Sequence, residues 1–167
     1  MHASSVPGQK TRRVIVMAER LVASNKRIRR DYEIIETVEA GLVLTGTEVK
    51  SLRAGRADLS GSFARIEGGE VWLIDCHIPP YEQGGYSNHE PKRPRKLLLH
   101  RHQIRRLIGR VSQKGLTLVP VRLYFQGGYA KILLAVARGR GKGDKRRRIE
   151  DDEARREMKK ALRSLKG

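Results

Sequence analysis

The segments LTLVPVRLYF (116–125) and YAKILLAVA (129–137) decide the fold. Both are rich in β-branched, aromatic and aliphatic residues, which favour strands. Only Gln126-Gly127-Gly128 separates them, and a glycine pair between two such runs is typical of a tight hairpin. The sequence therefore predicts two long antiparallel strands at this place.

Two further pairs of strand-like segments precede this hairpin, each interrupted by a turn that contains glycine. The predicted hairpins are Tyr32–Val38 with Leu42–Thr45 around Glu39-Ala40-Gly41, and Ser62–Glu67 with Glu70–Cys76 around Gly68-Gly69. About six short strands linked by hairpins favour a closed antiparallel arrangement, because closure leaves no exposed edge. The predicted fold class is mainly β, a closed OB-type barrel with short helices.

Two short helices and one long loop are predicted between the strands. Thr47 can cap a helix that Gly55 ends. His100–Val111 places apolar residues at i, i+3, i+4 and i+7, with arginines on the outer face. Residues 78–96 contain four prolines and a glycine pair, so we expect a long loop there.

The charge is strongly positive and unevenly placed. The chain has 36 Lys and Arg against 18 Asp and Glu, a net charge of +18, and a pI near 10.8. Residues 1–30 and 138–167 carry most of this excess, while residues 31–137 are close to balance. We therefore divide the chain into a basic N-terminal extension (1–24), a barrel (25–137) and a flexible basic tail (138–167) that binds a polyanion. RNA is favoured over DNA, because no recognition helix stands out.

The two ends of the chain read differently from the barrel. Residues 1–12 are predicted to be disordered, and residues 13–24 fit either a strand or a helix. Arg138–Gly143 alternates bases with glycines, as a flexible hinge would, and a helix is predicted from Ile149. We expect this helix to be loose in solution and to become ordered on a partner, because its apolar stripe is thin. The stripe consists of Ala154, Met158, Ala161, Leu162 and Leu165.

The residues that enzymes and metal sites use are scattered. No two histidines lie four apart on a predicted helix, Cys76 is the single cysteine, and the carboxylates are dispersed. The sequence predicts no enzyme, no metal site and no cofactor. One cysteine favours a reducing compartment, and no apolar run approaches the ~18 residues of a membrane span or forms a signal peptide. We expect a cytoplasmic protein that does not bind membranes.

Two tyrosines of the long loop have two interpretations. Tyr81 and Tyr86 could stack on bases, which contributes ~1–3 kcal/mol per base. They could equally anchor the loop to the barrel. The sequence leaves both interpretations open.

Four collinear segments resemble the SmpB family of SsrA-binding proteins, over residues 25–165. They are NKR (25–27) leading into DYEI (31–34), GTEVKSLRAGRADL (46–59), RPRKLLLHRHQIRRLIGRV (93–111) with KGLTLVPVRLYF (114–125), and ARGRGKGDKRR (137–147). The resemblance implies an OB-type barrel that binds the tRNA-like domain of transfer-messenger RNA. The complex, with elongation factor Tu and GTP on the charged RNA, would enter stalled ribosomes. The tail would occupy the empty mRNA channel against small-subunit rRNA, and the protein would act as a monomer.

The resemblance also implies roles for individual residues. The RNA-binding positions on the barrel are Glu39, Leu98, His100 and Lys131, to which charge adds Lys50 and Arg53. Core packing is the alternative for Leu98. The tail positions are Arg138 and Arg140, followed by Asp144, Lys145 and Arg146, which match a motif needed for tagging. Gly143 stands where the family usually has an aromatic residue or histidine.

Two other classes of protein share part of this pattern. A ribosomal or initiation-factor-like OB protein would have the charge and the barrel, but it would not need the DKR motif after a glycine hinge. An RNA-processing nuclease would need a cluster of carboxylates or histidines, which the sequence does not indicate.

Overall fold

The structure of the protein, a computed structural model, describes residues 19–140 and 145–166. The predicted disorder of residues 1–12, the hinge positions 141–143 and Asp144 lie outside the described residues. Seven strands and four helices follow one another along the described chain. They are β1 (Glu19–Ser24), α1 (Ile28–Asp31), β2 (Tyr32–Leu42), α2 (Gly46–Arg53), β3 (Phe63–Glu67), β4 (Glu70–Ile74), β5 (Arg95–Leu98), α3 (Arg101–Val111), β6 (Leu116–Gln126), β7 (Tyr129–Gly139) and α4 (Lys145–Lys166).

The strands form one antiparallel sheet, which confirms the predicted mainly β architecture with short helices. From β6 the pairings lead through β3, β4, β5, β2 and β7 and return to β6, while β1 is added at β6. The longest ladders join β7 to β6 and to β2. The links β3–β6 and β2–β5 are short, with one and two residue pairs. Among the described helices, none is long and apolar enough to cross a membrane.

Two predicted hairpins are confirmed, and one is wrong. Gly68-Gly69 and Gly127-Gly128 turn the chain with positive φ angles, which glycine adopts without steric cost. The turn predicted at Glu39-Ala40-Gly41 does not exist, because β2 continues through these residues and pairs with β7. Gly41 serves close approach instead: a Cβ atom there would lie 3.2 Å from the Cβ of Leu98 on β5.

The prediction for residues 78–96 is wrong at its C-terminal end. Arg95 begins the strand β5, which lies between β4 and β2. A four-residue strand that follows a proline and runs into a stretch of leucines has too little alternation to be recognised. The predicted helices are confirmed as α2 and α3, and Gly55 follows α2 with a φ of 76°. The predicted cap at Thr47 is wrong, because α2 begins two residues earlier and Thr45 is its N-cap, in a capping box with Glu48.

The apolar residues form a main core inside the sheet and a small second cluster. The main core includes Leu52, Ile66, Leu73, Leu97, Leu107, Ile108, Leu123, Ile132 and Leu134. In the second cluster, Ile28 of α1 packs against Val119, Ala135 and Ala137. This contact fixes the short helix α1 on the sheet beside the C-terminal end of β7, where the tail begins.

The tail helix α4 is docked on the body, which differs from the loose helix that we predicted. Met158 and Ala161 are buried in the main core, while Ala154 is exposed. Leu165 packs over Gly69, and its carbonyl oxygen accepts a hydrogen bond of 3.2 Å from Arg101. The stripe is thin, but β3 and α3 offer it an apolar surface, and such tertiary packing stabilises a helix that would be marginal alone.

Candidate nucleic-acid interface

Four predicted RNA-binding residues come together on one concave surface, which we call the groove. The groove has a volume of about 550 Å³ and lies where β2, β5 and β7 meet the start of α3. Glu39, Leu98, His100 and Lys131 all line it. Its other lining residues are Gly41, Leu42, Leu99, Gln103, Tyr129 and Ala130.

Strand register explains why these residues converge. Gly41 on β2 lies opposite Leu98 on β5 and opposite Lys131 on β7. Glu39 lies two residues before Gly41, so its side chain leaves the same face of the sheet. Because Gly41 has no side chain, Leu98 can lie close over it, and Gly41 lines the groove beside Leu98 and Lys131.

Glu39 is the acidic residue that lines the groove, and its carboxylate has two neighbours. The Tyr124 hydroxyl donates a short hydrogen bond to Oε2, and the Lys131 ammonium lies 3.9 Å from Oε1. The Glu39 side chain is 41% exposed. Burial, and then the hydrogen bond to Glu39, raise the pKa of Tyr124, so the phenol stays a donor at neutral pH. The carboxylate can therefore accept a further hydrogen bond from a ligand.

Two large apolar side chains are exposed in the groove. Leu98 is 53% exposed, so the core-packing alternative for it is wrong; its neighbour Leu97 points into the core. Tyr129 is 73% exposed and was missed from the sequence. Its position gave a signal, because it precedes Lys131 by two residues and so shares its face of β7. Exposed rings and aliphatic groups of this kind can pack on unstacked bases.

His100 closes the groove at the beginning of α3. It is the N-cap residue, and its backbone N–H donates to the Gln103 side chain at 2.9 Å. Its ring stacks on the His102 ring with 5.6 Å between centroids. Both histidines are exposed, so they offer a flat surface and ring nitrogens to a ligand.

The two residues that charge alone suggested do not line the groove. Lys50 lies over the ring of Tyr81, at 5.4 Å from its centroid, and Arg53 lies over Phe125 at 5.5 Å. Both are on α2, and cation–π contacts engage each of them within the protein. An RNA-binding role for Lys50 and Arg53 stays a prediction.

The two tyrosines of the long loop, Tyr81 and Tyr86, have different surroundings. Asn88 fixes Tyr81, since its side chain accepts from the Tyr81 N–H and donates to the Tyr81 carbonyl oxygen, both at 2.8 Å. These bonds close the loop on itself, and the contact of the Tyr81 ring with Lys50 of α2 favours the anchoring interpretation for Tyr81. Tyr86 is fully exposed at the short 3-10 turn Gly85–Ser87, so the stacking interpretation remains possible for it alone.

A second glutamate, Glu48, forms a buried charge cluster with Arg93 and Arg95. The sequence did not predict this cluster. Glu48 and Arg95 are fully buried and joined at 2.5 Å, and Arg93 is 2.5 Å from the other carboxylate oxygen. Burial alone would raise the pKa of Glu48, but hydrogen bonds from Arg93, the Thr45 N–H and Arg95 outweigh it and lower the pKa. Arg95 also donates to the Cys76 carbonyl oxygen, so the cluster joins α2, β5 and the loop.

Groups that could catalyse a reaction are not gathered in the described part of the chain. Within residues 19–140 and 145–166, no three His, Cys, Asp or Glu side chains lie close enough to hold a metal ion. Burial raises the pKa of the Cys76 thiol to about 11, which makes it a poor nucleophile.

Two of the predicted tail residues, Arg138 and Arg140, lie away from the groove, at the opposite end of β7. Arg138 and Arg140 are exposed, and the Arg140 Nε donates to the carbonyl oxygens of Arg29 and Tyr32, both at 3.1 Å. Lys145 and Arg146 begin α4, but their side chains, like Asp144, lie outside the described part of the structure.

The protein is strongly basic and mainly β, and its groove combines a carboxylate, a cation and exposed apolar side chains. These features define the class of RNA-binding proteins, and comparison with known proteins agrees. The model of the SmpB protein family matches residues 22–164. The chain is 56% identical to the SsrA-binding protein of Carboxydothermus hydrogenoformans, over 87% of this chain and 98% of that protein. It is 57% identical to the SsrA-binding protein of Thermus thermophilus, over 82% and 96%. This chain belongs to the SmpB family.

A solved structure supports the same assignment. It comes from work on tmRNA-SmpB and its journey to the center of the bacterial ribosome. Its chain is 54% identical to this one and superposes with a TM-score of 0.63, over 81% of this chain and 96% of that chain.

Proposed function

We propose that this protein binds the tRNA-like domain of transfer-messenger RNA and delivers the RNA to stalled bacterial ribosomes for trans-translation. The groove carries the proposal, because it brings Glu39, Leu98, His100 and Lys131 together on one surface. An acceptor, a cation and exposed apolar groups at one place allow RNA to be recognised by more than its charge. Membership of the SmpB family and the SsrA-binding names of its relatives support this choice of RNA.

We also infer that the sheet is a closed barrel of the OB type. The inference is supported by the strand pairings, which return to β6 after passing through five other strands. OB barrels often bind nucleic acids on a strand face beside a loop, and the groove occupies such a face. A barrel would also give the groove residues a rigid frame.

The tail supplies the second half of the proposed function. We infer that residues 138–167 enter the empty mRNA channel, lined by small-subunit rRNA, where Arg138, Arg140, Asp144, Lys145 and Arg146 replace codon–anticodon contacts. To do so, α4 must leave β3 and α3 and exchange the burial of Met158 for contacts with phosphates. Elongation factor Tu with GTP would take part through the charged RNA. The protein would act as a monomer in the cytoplasm, where ribosomes translate.

A salt titration of RNA binding tests the proposal. We compare a transcript of the tRNA-like domain with an ordinary tRNA and a plain RNA duplex. Affinity from charge alone falls steeply with salt and is similar for all three, because counterion release ignores sequence. We expect a preference for the tRNA-like domain that persists at high salt. Equal affinities would instead favour a general ribosomal OB protein, and cleavage of the transcript in magnesium would favour a nuclease.

Variants of the groove test where this preference originates. Glu39→Ala and Lys131→Ala should each weaken binding of the tRNA-like domain without unfolding the protein, because both side chains are partly exposed. Glu39→Ala should also lower the free energy of unfolding by about 1–3 kcal/mol, because it leaves the buried Tyr124 hydroxyl without its acceptor. Glu67→Ala is a matched control, since it removes an exposed glutamate of β3 that does not line the groove. If Glu39→Ala or Lys131→Ala were unfolded at the temperature of the binding assay, the residue would be structural, and its loss of RNA binding would not indicate a contact with RNA.

The tail is tested separately from the groove. Replacing Asp144, Lys145 and Arg146 with alanine should leave binding of the tRNA-like domain near normal and abolish tagging of the nascent chain on stalled ribosomes. A large loss of RNA affinity in this variant would contradict the separation of the two roles.

A further inference from the structure

Three neighbouring strands place Tyr124, Lys131 and Glu39 side by side. Tyr124 on β6 lies directly opposite Lys131 on β7. Lys131 in turn lies opposite Gly41 on β2, two residues from Glu39. Opposed residues of antiparallel strands point to the same face, so the three side chains meet there. The Tyr124 hydroxyl and the Lys131 ammonium approach different oxygens of the Glu39 carboxylate.

The Tyr124 ring is held firmly beneath the groove. The residue is 1% exposed, and the Arg122 guanidinium covers its ring at 5.1 Å from the centroid. Arg122 is itself paired with Glu19 of β1 at 3.1 Å. A polar row thus crosses β1, β6, β7 and β2 and ends at Glu39. A buried ring with a packed face has few rotamers, so its hydroxyl is a fixed donor.

The Tyr124 hydroxyl keeps Glu39 from forming a close ion pair with Lys131. At 3.9 Å the two groups attract each other without forming a close hydrogen-bonded pair. A glutamate has three rotatable bonds, so without the hydroxyl it could turn to the ammonium 3.9 Å away and close on it. A close pair would engage both groups, and neither would remain fully available to RNA.

We infer that Tyr124 is a positioning residue for RNA recognition, which holds Oε2 of Glu39 so that Oε1 faces an RNA donor and Lys131 remains free for a phosphate. This inference rests on the proposed RNA-binding function of the groove. The RNA group that meets Oε1 must donate a hydrogen bond, so it is an exocyclic amino group of a base or a ribose 2′-hydroxyl. Tyr124 acts through Glu39 and does not touch the RNA.

A double-mutant cycle tests the inference with the full-length protein and a transcript of the tRNA-like domain. Tyr124→Phe keeps the ring and its contact with Arg122 and removes only the hydroxyl. We expect it to weaken binding about fivefold to tenfold in the wild-type background and to have no further effect in Glu39→Ala. Tyr81→Phe is the matched control, because it removes a hydroxyl that donates a hydrogen bond to Gln83 at 2.7 Å and it does not line the groove.

The salt dependence of binding gives a readout that simple loosening of the barrel would not move. If Glu39 closes on Lys131 in Tyr124→Phe, one phosphate contact is lost. The slope of log K against log salt should then become shallower by about 0.7 to 0.9.

The outcomes separate this inference from the proposed function. If Glu39→Ala binds RNA normally, Glu39 has no role in binding, and both the proposed site and the inference fall. If Glu39→Ala weakens binding but Tyr124→Phe does not, the proposed function stands and the positioning role is overturned. A loss in Tyr124→Phe that is equal in both backgrounds would also overturn it, because Tyr124 would then act independently of Glu39.

Discussion

The buried charge cluster around Glu48 and the open groove around Glu39 are both built from one glutamate and nearby cations. In the cluster, both oxygens of Glu48 accept short hydrogen bonds from arginines, and Glu48 and Arg95 are fully buried. In the groove, Glu39 has one hydroxyl partner and a lysine at 3.9 Å, and it faces solvent. The first region has used its hydrogen-bonding capacity within the protein, whereas the second still has capacity for a ligand.

The difference follows from the cost of removing charge from water. A buried carboxylate stays ionised only when hydrogen bonds and counter-charges satisfy its oxygens. The protein is therefore stable only when Glu48 has its arginine partners. A groove that binds RNA has the opposite requirement, because a saturated acceptor cannot read a donor. Strand β5 contributes to both regions. Arg95 and Leu97 point inward, where Arg95 pairs with Glu48, and Leu98 points into the groove.

Breaking the buried cluster should have the largest effect. Glu48→Ala leaves Arg95 buried without its counter-charge, and we expect the free energy of unfolding to fall by about 3–5 kcal/mol. Urea denaturation followed by circular dichroism measures the change. Glu70→Ala is the control, because the surface pair of Glu70 with Lys96, at 3.4 Å, should contribute about 1 kcal/mol or less. Equal losses in the two variants would show that the cluster is no more stabilising than a surface pair.

Acid should weaken the same cluster in a predictable direction. The pKa of Glu48 is lowered from its ordinary value of 4.5, so the folded state holds its proton less tightly than the unfolded state. The stability from ionised Glu48 is therefore present above its unfolded pKa and is lost as pH falls through the depressed folded pKa. We expect unfolding free energies measured from pH 7 to pH 3 to fall more in wild type than in Glu48→Gln. Parallel curves would contradict a lowered pKa for Glu48.

The parts of the fold that the sequence predicts are those where local and tertiary preferences agree. The hairpin at Gly127-Gly128 joins long apolar strands, and α3 has a clear helical period, so both were predictable. Gly41 was misread because a glycine serves equally well in a turn or at a close approach between strands. Only the register of β5 against β2 decides between these roles, and β5 itself was not recognised.

The groove was predictable in part, for a different reason. Glu39, Leu98, His100 and Lys131 were assigned by resemblance to a family, and no periodicity relates residues on three separate strands. Tyr124 could not be found in this way, because a buried tyrosine in an apolar strand looks like core until its hydroxyl partner is known. Charge alone suggested Lys50 and Arg53, which lie outside the groove and make cation–π contacts within the protein, so their role in RNA binding stays a prediction.

The smallest expected effect concerns Leu98 of the groove, and its neighbour on β5, Leu97 of the main core, provides the contrast. Leu98→Ala removes an exposed side chain, so we expect RNA affinity to fall by about fivefold while the free energy of unfolding changes by about 0.5 kcal/mol or less. Leu97→Ala should instead lower the free energy of unfolding by about 2–5 kcal/mol, because Leu97 is buried in the core. RNA titration and urea denaturation of both variants measure the two effects. A Leu98 variant that binds RNA normally would show that Leu98 has no part in binding, and the apolar contribution of the groove would then rest on Tyr129.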